Sequence, residues 1–92
     1  MSIFGPEVKD PSATLNYSFD WSDNLTGETI GTSTWSSSPT GLTVGTGSIA
    51  TLSTTTSVAG GTAGTVYQVA NKVYTSSGII DERSMALRVE QL

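Results

Sequence analysis

Leu15, Tyr17, Phe19 and Trp21 alternate with Asn16, Ser18 and Asp20. Successive side chains of a β-strand point to opposite faces, so a strict period of two builds one apolar and one polar face. The pattern recurs in 65–75, where Tyr67, Val69, Asn71 and Val73 oppose Val66, Gln68, Ala70, Lys72 and Tyr74. It recurs again in 83–91, where Met85, Leu87 and Val89 alternate with Ala86, Arg88 and Glu90. No stretch places apolar residues at helical spacing, and none repeats at a fixed period. These features predict an all-β fold.

The intervening segments read as turns and shorter strands. Ser22–Glu28 carries turn chemistry, and Thr29–Ser36 is a Thr-rich strand whose apolar members, Ile30 and Trp35, differ in parity. Gly31 between them predicts a bulge. Ser38-Pro39-Thr40-Gly41 is a turn, Leu42 and Val44 alternate with polar neighbours, and 49–55 is read as one further strand. The stretch 59–64 is a glycine-rich connection with no helix behind it, so it lacks the context of a phosphate-binding loop. Six or seven antiparallel strands in 92 residues close most simply as a two-sheet sandwich. The domain is placed at 12–92. Residues 1–11 are read as an extended arm, because Gly5-Pro6 and Asp10-Pro11 disfavour helix. The expected core is Leu15, Tyr17, Phe19, Trp35, Leu42, Val44, Ile49, Leu52, Tyr67, Val69, Val73, Met85, Leu87 and Val89. Asn71 falls on the core face of its strand, where a buried amide must find partners, and loop backbone near the sheet end is the expected one.

Composition narrows the chemistry. The chain has no His and no Cys. The commonest general base and the softest nucleophile are missing, a Ser-His-Asp triad cannot form, and ordinary zinc sites lack their ligands. Lys9 and Lys72 are read as lying in the arm and on an exposed strand face, where no amine is desolvated. No enzyme activity, cofactor or metal site is expected. The net charge is -4 and the four basic residues are scattered, which argues against a nucleic-acid partner. No apolar stretch reaches transmembrane length, which argues against a membrane partner.

Weaker features are weighed against plain structural roles. Asp20, Asp23 and Glu28 cluster around the first turn, but their spacing does not fit an EF-hand loop, and turn formation is favoured over calcium binding. Asp81-Glu82-Arg83 is either a charged contact or a hairpin end with a local ion pair, and the second is favoured. Candidate partner-binding residues are Ile3 and Phe4 in the arm, Val66 and Tyr74 on the outward face of their strand, and Trp21. Trp21 shares the parity of Phe19, which favours the core over an exposed binding role.

Lys9-Asp10-Pro11, Leu15-Asn16-Tyr17 and Asp20-Trp21, followed by Ser33-Thr34-Trp35, Gly41-Leu42-Thr43, Gly60-Gly61-Thr62-Ala63-Gly64-Thr65 and Asp81-Glu82-Arg83-Ser84, give the chain a likeness to a known family. In order and spacing these pieces resemble short tailed-bacteriophage structural proteins of the fibre-tail adaptor kind. The resemblance implies an immunoglobulin-like sandwich located in the virion. It also implies an adaptor or decoration module present in multiple copies, which binds capsid, head-tail connector, tail or fibre proteins through its arm and sheet surface. It supplies no catalytic residues. The alternative is a carbohydrate-binding or adhesive sandwich, whose signature would be Trp21 and Tyr74 exposed on one face.

Overall fold

A computed structural model describes residues 7–22, 25 and 27–92. Eight strands run in chain order: β1 (Glu7–Lys9), β2 (Thr14–Asp20), β3 (Ile30–Ser38), β4 (Leu42–Val44), β5 (Ser48–Ala50), β6 (Ser53–Gly60), β7 (Thr65–Thr75) and β8 (Ile80–Val89). The larger sheet has the order β1-β8-β7-β3. In the smaller, β6 is flanked by β2 on one side and by β4 and β5 on the other. The sheets pack as an all-β sandwich, with no helix among the described residues. The strand count exceeds the expected six or seven, and one pairing, β1 with β8, is parallel.

The three alternating segments supply the sandwich's central strands and one edge. β7 is the hub, antiparallel to β8 from Thr65↔Val89 to Tyr74↔Ile80 and antiparallel to β3 on its other side. The β3 register shifts between Ile30 and Thr32, so Gly31 is the bulge that lets Ile30 and Trp35 face the same interior. β2 pairs with β6 from Thr14↔Ala59 to Asp20↔Ser53.

The stretch 49–55 is not one strand. It is a hairpin in which β5 turns into β6 at Thr51, whose φ of 52° lies in the left-handed region. Ser53 Oγ donates to the Ala50 carbonyl at 3.1 Å and braces the turn. The differing parity of Ile49 and Leu52 reflects this reversal. β6 then runs on to Gly60, and its core face is Thr54, Thr56 and Val58, all buried.

The interior has two clusters. Phe19, Trp21, Leu25, Ile30 and Val73 form one; Val58, Val69 and Leu87 form the other; Trp35 and Met85 pack against both. Phe19 stacks on Trp35 with centroids 5.5 Å apart and meets Trp21 edge-on at 6.4 Å. Each fully buried apolar side chain here contributes about 1.5–3 kcal/mol. Leu15 and Ile49 depart from the expected core, being 40% and 39% exposed. Their parity is right, since they pair with buried Val58 and Thr54. They sit on edge strands near the rim, where the facing sheet covers them incompletely.

Asn71 is wholly buried, but its partners are not loop backbone. Its Oδ1 accepts from Thr54 Oγ1 at 2.6 Å and from Trp21 Nε1 at 3.1 Å. Its Nδ2 donates to Ser33 Oγ at 2.8 Å and to the Thr34 carbonyl at 3.0 Å. Side chains of adjacent and facing strands reach it because Thr54 and Ser33 turn inward beside it. Lys9 is a second correction. It is 0% exposed, and its Nζ donates to the Gly60 carbonyl at 2.7 Å and the Asp10 carbonyl at 2.8 Å. The parallel pairing of β1 with β8 carries Lys9 inward beside Val89.

Candidate functional site

The outer face of the larger sheet carries most of the exposed apolar side chains. Even-numbered residues of β7 and β8 point outward, as do Val8 of β1 and Thr32, Thr34 and Ser36 of β3. Cross-strand pairing orders them into rows. Val8, Arg88 and Val66 form the row at one end. Thr32, Tyr74 and Ile80 form the row at the other, with Ile79 on the adjoining turn. Val8, Val66, Tyr74, Ile79 and Ile80 are all exposed, Ile80 most of all at 56%. Val66 and Tyr74 therefore share a face but lie about 26 Å apart along β7, at the usual rise of a strand.

The rows between are polar or small and largely satisfied internally. Gln68 Nε2 donates to Ser84 Oγ at 2.8 Å across β7 and β8. Lys72 Nζ lies 5.8 Å from the Tyr74 ring centroid, and Lys72 stands opposite Glu82. Arg88 Nε and Glu90 Oε1 form an exposed ion pair at 2.9 Å. Such a pair is worth little by itself, but it keeps charge at the border of the face.

Trp21 does not belong to this surface. It is 1% exposed, and its indole N–H is shared by Thr54 and Asn71. The Arg83 guanidinium covers its ring at 4.7 Å, while Arg83 Nη1 donates to the Asp20 carbonyl at 2.8 Å. Arg83 thus closes one end of the core, tying β8 to the end of β2. Trp21 and Tyr74 lie on opposite sides of the larger sheet, so the paired aromatics expected of a sugar-binding face are not assembled. Ile3 and Phe4 lie outside the described residues.

The acidic residues of the first turn act locally. Asp20 Oδ1 accepts from the Ser22 amide at 2.9 Å, and the Ser22 bonds hold its carboxyl below the usual range, with Arg83 adding a smaller pull. Glu28 accepts from the Ser77 hydroxyl and amide, which fastens 27–29 to the β7–β8 turn and lowers its pKa, with Thr75 assisting. Asp23 lies outside the described residues. At the other end of the sandwich, Tyr67 Oη accepts from the Thr62 amide at 2.9 Å, which lowers its pKa. The Tyr17 phenol is pushed up by burial and then by Glu7 nearby.

A shallow cleft of about 230 Å³ opens between β3 and the break separating β4 from β5, lined by Ser33, Thr34, Trp35, Val44, Gly45 and Thr46. Most of its polar groups are bound to neighbouring strands; Gly45 N–H donates to the Ser57 carbonyl and Gly45 O accepts from Thr56 Oγ1, both on β6, while the buried Trp35 Nε1 has no hydrogen-bond partner among the described residues. Among the described residues no three acidic side chains gather closely enough to hold a metal ion.

Sequence reasoning missed Val8, Ile79 and Ile80 as surface residues. The one available signal was the Ile79-Ile80 pair just after Gly78, which an expected strand starting at Arg83 left unassigned.

The fold and this face define a small all-β sandwich with exposed apolar residues at the two ends of one sheet. The family model of the podophage GP4 fiber-tail adaptor protein gp77 matches residues 9–88, and the chain belongs to that family. The matched span opens at buried Lys9 and takes in β2 to β7 and nearly all of β8. A fibre-tail adaptor is a structural component of the phage virion, and joining a fibre to a tail entails binding other virion proteins. No curated protein matches the chain.

Proposed function

We propose that this adaptor holds other virion proteins, tail on one side and fibre on the other, through two surfaces. One is the N-terminal arm, with Ile3 and Phe4. The other is the outer face of the larger sheet, with Val66 and Tyr74 joined by Val8, Ile79 and Ile80. The exposure of five large apolar residues at the two ends of a single sheet face carries this reading. Aromatic and branched apolar side chains in such places serve as anchors, while the satisfied polar rows between them set register. The module works by docking alone, in several copies per particle, with no catalysis, cofactor, nucleic acid or membrane.

The experiment is an assembly assay with Tyr74→Asp and Ile80→Asp together, both exposed positions. The variant still folds, with a melting curve lowered modestly because the two carboxylates face each other across β7 and β8, but it fails to enter particles or to retain fibres. Normal fibre-bearing particles would remove this face from the interface. The arm is tested by a chain begun at Glu7 rather than at Asp10, because removing Lys9 would unseat a buried side chain of the sandwich.

A further inference from the structure

β3 lies at the edge of the larger sheet opposite β1. Its nine residues, Ile30–Ser38, include no charge and no proline. Edge strands in natural sheets are ordinarily short or guarded by charge or proline, because their unpaired backbone groups invite another strand. The β1 edge follows that rule, with three residues of which Glu7 and Lys9 are charged. β3 does not. Among the described residues it has β7 on one side and no strand on the other. The connection that precedes it is held at buried Leu25, which packs with Ile30 at one end of the strand. The chain enters the sheet at β1, three strand spacings or about 14 Å from β3. The six residues before Glu7 reach at most about 20 Å, too little to cross the sheet and then run along β3.

The Thr75 amide donates to the Ile79 carbonyl at 2.8 Å, so odd-numbered residues of β7 bond toward β8 and even-numbered ones toward β3. β7 and β3 pair even with even, from Thr32↔Tyr74 to Ser38↔Gln68. The Thr34 carbonyl accordingly points to β7, where Asn71 Nδ2 donates to it. Ser33, Trp35 and Ser37 therefore direct three amides and three carbonyls out of the sheet edge.

These groups are self-complementary. In an antiparallel pair of β3 strands, the register that sets Trp35 opposite Trp35 also sets Ser33 opposite Ser37 in both directions. No other odd-to-odd register uses all three residues of both strands. On the outer face it places Thr34 against Ser36, with no like charges to repel. It also places Pro39, which has no N–H to offer, against Gly31 of the bulge, so the shared ladder ends alike on both sides.

We propose that two copies of this chain pair through β3 about a twofold axis at Trp35. Two four-stranded sheets then become one sheet of eight, with a short β1 at each end. Pairing one surface with itself closes the assembly and covers the long edge. The incoming strand also passes over the cleft between β3 and the β4–β5 break, where Trp35 and Val44 are half-buried. The edge is distinct from the outer face that carries Tyr74 and Ile80, so the pairing stands without the functional reading above.

Sedimentation equilibrium and amide hydrogen exchange by NMR, on the full chain at rising concentration, test the pairing. The mass rises from 9.5 kDa toward twice that value. Exchange at Ser33, Trp35 and Ser37 slows with it by about tenfold or more, whereas Thr32, Thr34 and Ser36, bonded to β7, keep their rates. Thr34→Glu with Ser36→Glu sets like charges opposite each other across the axis and leaves a monomer whose circular dichroism is that of the folded chain. Thr34→Glu with Ser36→Lys sets opposite charges there and dimerises again. Position 34 stands opposite Lys72 on β7, so a carboxylate there suits the fold in both variants. A chain that stays monomeric at its highest soluble concentration overturns the proposal. So does a dimer whose Ser33, Trp35 and Ser37 amides exchange as fast as the monomer's, or one that the two double variants weaken alike.

Discussion

The middle of the sandwich and the rim beside Asp10 and Leu92 each bury a polar side chain, and they resolve its desolvation differently. In the middle, Asn71 is satisfied mainly by other side chains, from β3, β6 and the segment after β2, and so links both sheets through one amide. At the rim, Lys9 is satisfied by two backbone carbonyls, one its neighbour's and one at the end of β6. Beside it, Asp10 accepts from Ser12 and from the Leu92 amide at 3.0 Å. The middle network depends on how the sheets face one another. The rim network also bridges the sheets, from β1 of the larger to the end of β6 in the smaller, but it does so through a single side chain and the backbone at a strand end.

Breaking the middle should cost most. Asn71→Ala takes the acceptor of the Thr54 hydroxyl and a donor to the Thr34 carbonyl out of a dry interior, and leaves the Trp21 indole N–H with Thr54 alone. The expected loss is about 3 kcal/mol, or about 15 °C in Tm for a domain this size, read by thermal circular dichroism. A loss below about 1 kcal/mol would mean the network is incidental.

The rim should respond less. Lys9→Ala removes a buried stem and two hydrogen bonds and should cost about 2 kcal/mol in urea titrations with an unchanged slope. Lys9→Met keeps the stem and should cost less than half as much, because an apolar replacement of similar volume removes the charge's desolvation along with its bonds. Equal losses would show that the carbonyl contacts, rather than the packed stem, hold β1 in place.

The smallest effect is titration of Asp10. Hydrogen bonds from the Ser12 hydroxyl, the Leu92 amide and the Ser12 amide, in that order, lower its pKa from 3.8 to about 2. A depressed folded-state pKa stabilises the fold above the unfolded value and loses that contribution as pH falls through the folded one. Protection of the Leu92 amide should therefore be full above about pH 4 and fade between there and about pH 2. Asp10→Asn should flatten this dependence. A Leu92 amide indifferent to acid across that window would remove Asp10 from the rim.

The same contrast explains what could be read in advance. Alternation at Leu15–Trp21, Tyr67–Val73 and Met85–Val89 marked the strands whose one face is buried, and the parity clash of Ile30 with Trp35 marked the Gly31 bulge. Outward Val66 and Tyr74 followed from the same period. The inner face of β6 was not legible, because Thr54 and Thr56 look solvent-facing until Asn71 and the Gly45 carbonyl supply their hydroxyls with partners. The Thr51 turn carries none of the usual Gly, Asn or Pro signals. The burial of Lys9 depends on a three-residue parallel pairing across 80 positions of sequence, which no local pattern encodes. Trp21 continued the β2 parity past the strand's end, and its inward place is held by Phe19, by the Thr54 and Asn71 acceptors for its indole N–H and by the Arg83 cap, of which the parity alone was legible.

The parallel run of β1 beside β8 also sets how the module would bear a load. The chain enters β1 at Glu7 and leaves β8 at Val89, at opposite ends of the shared ladder. A pull between the two termini would thus act lengthwise along those strands, in shear. Its hydrogen bonds would have to yield together rather than unzip one after another.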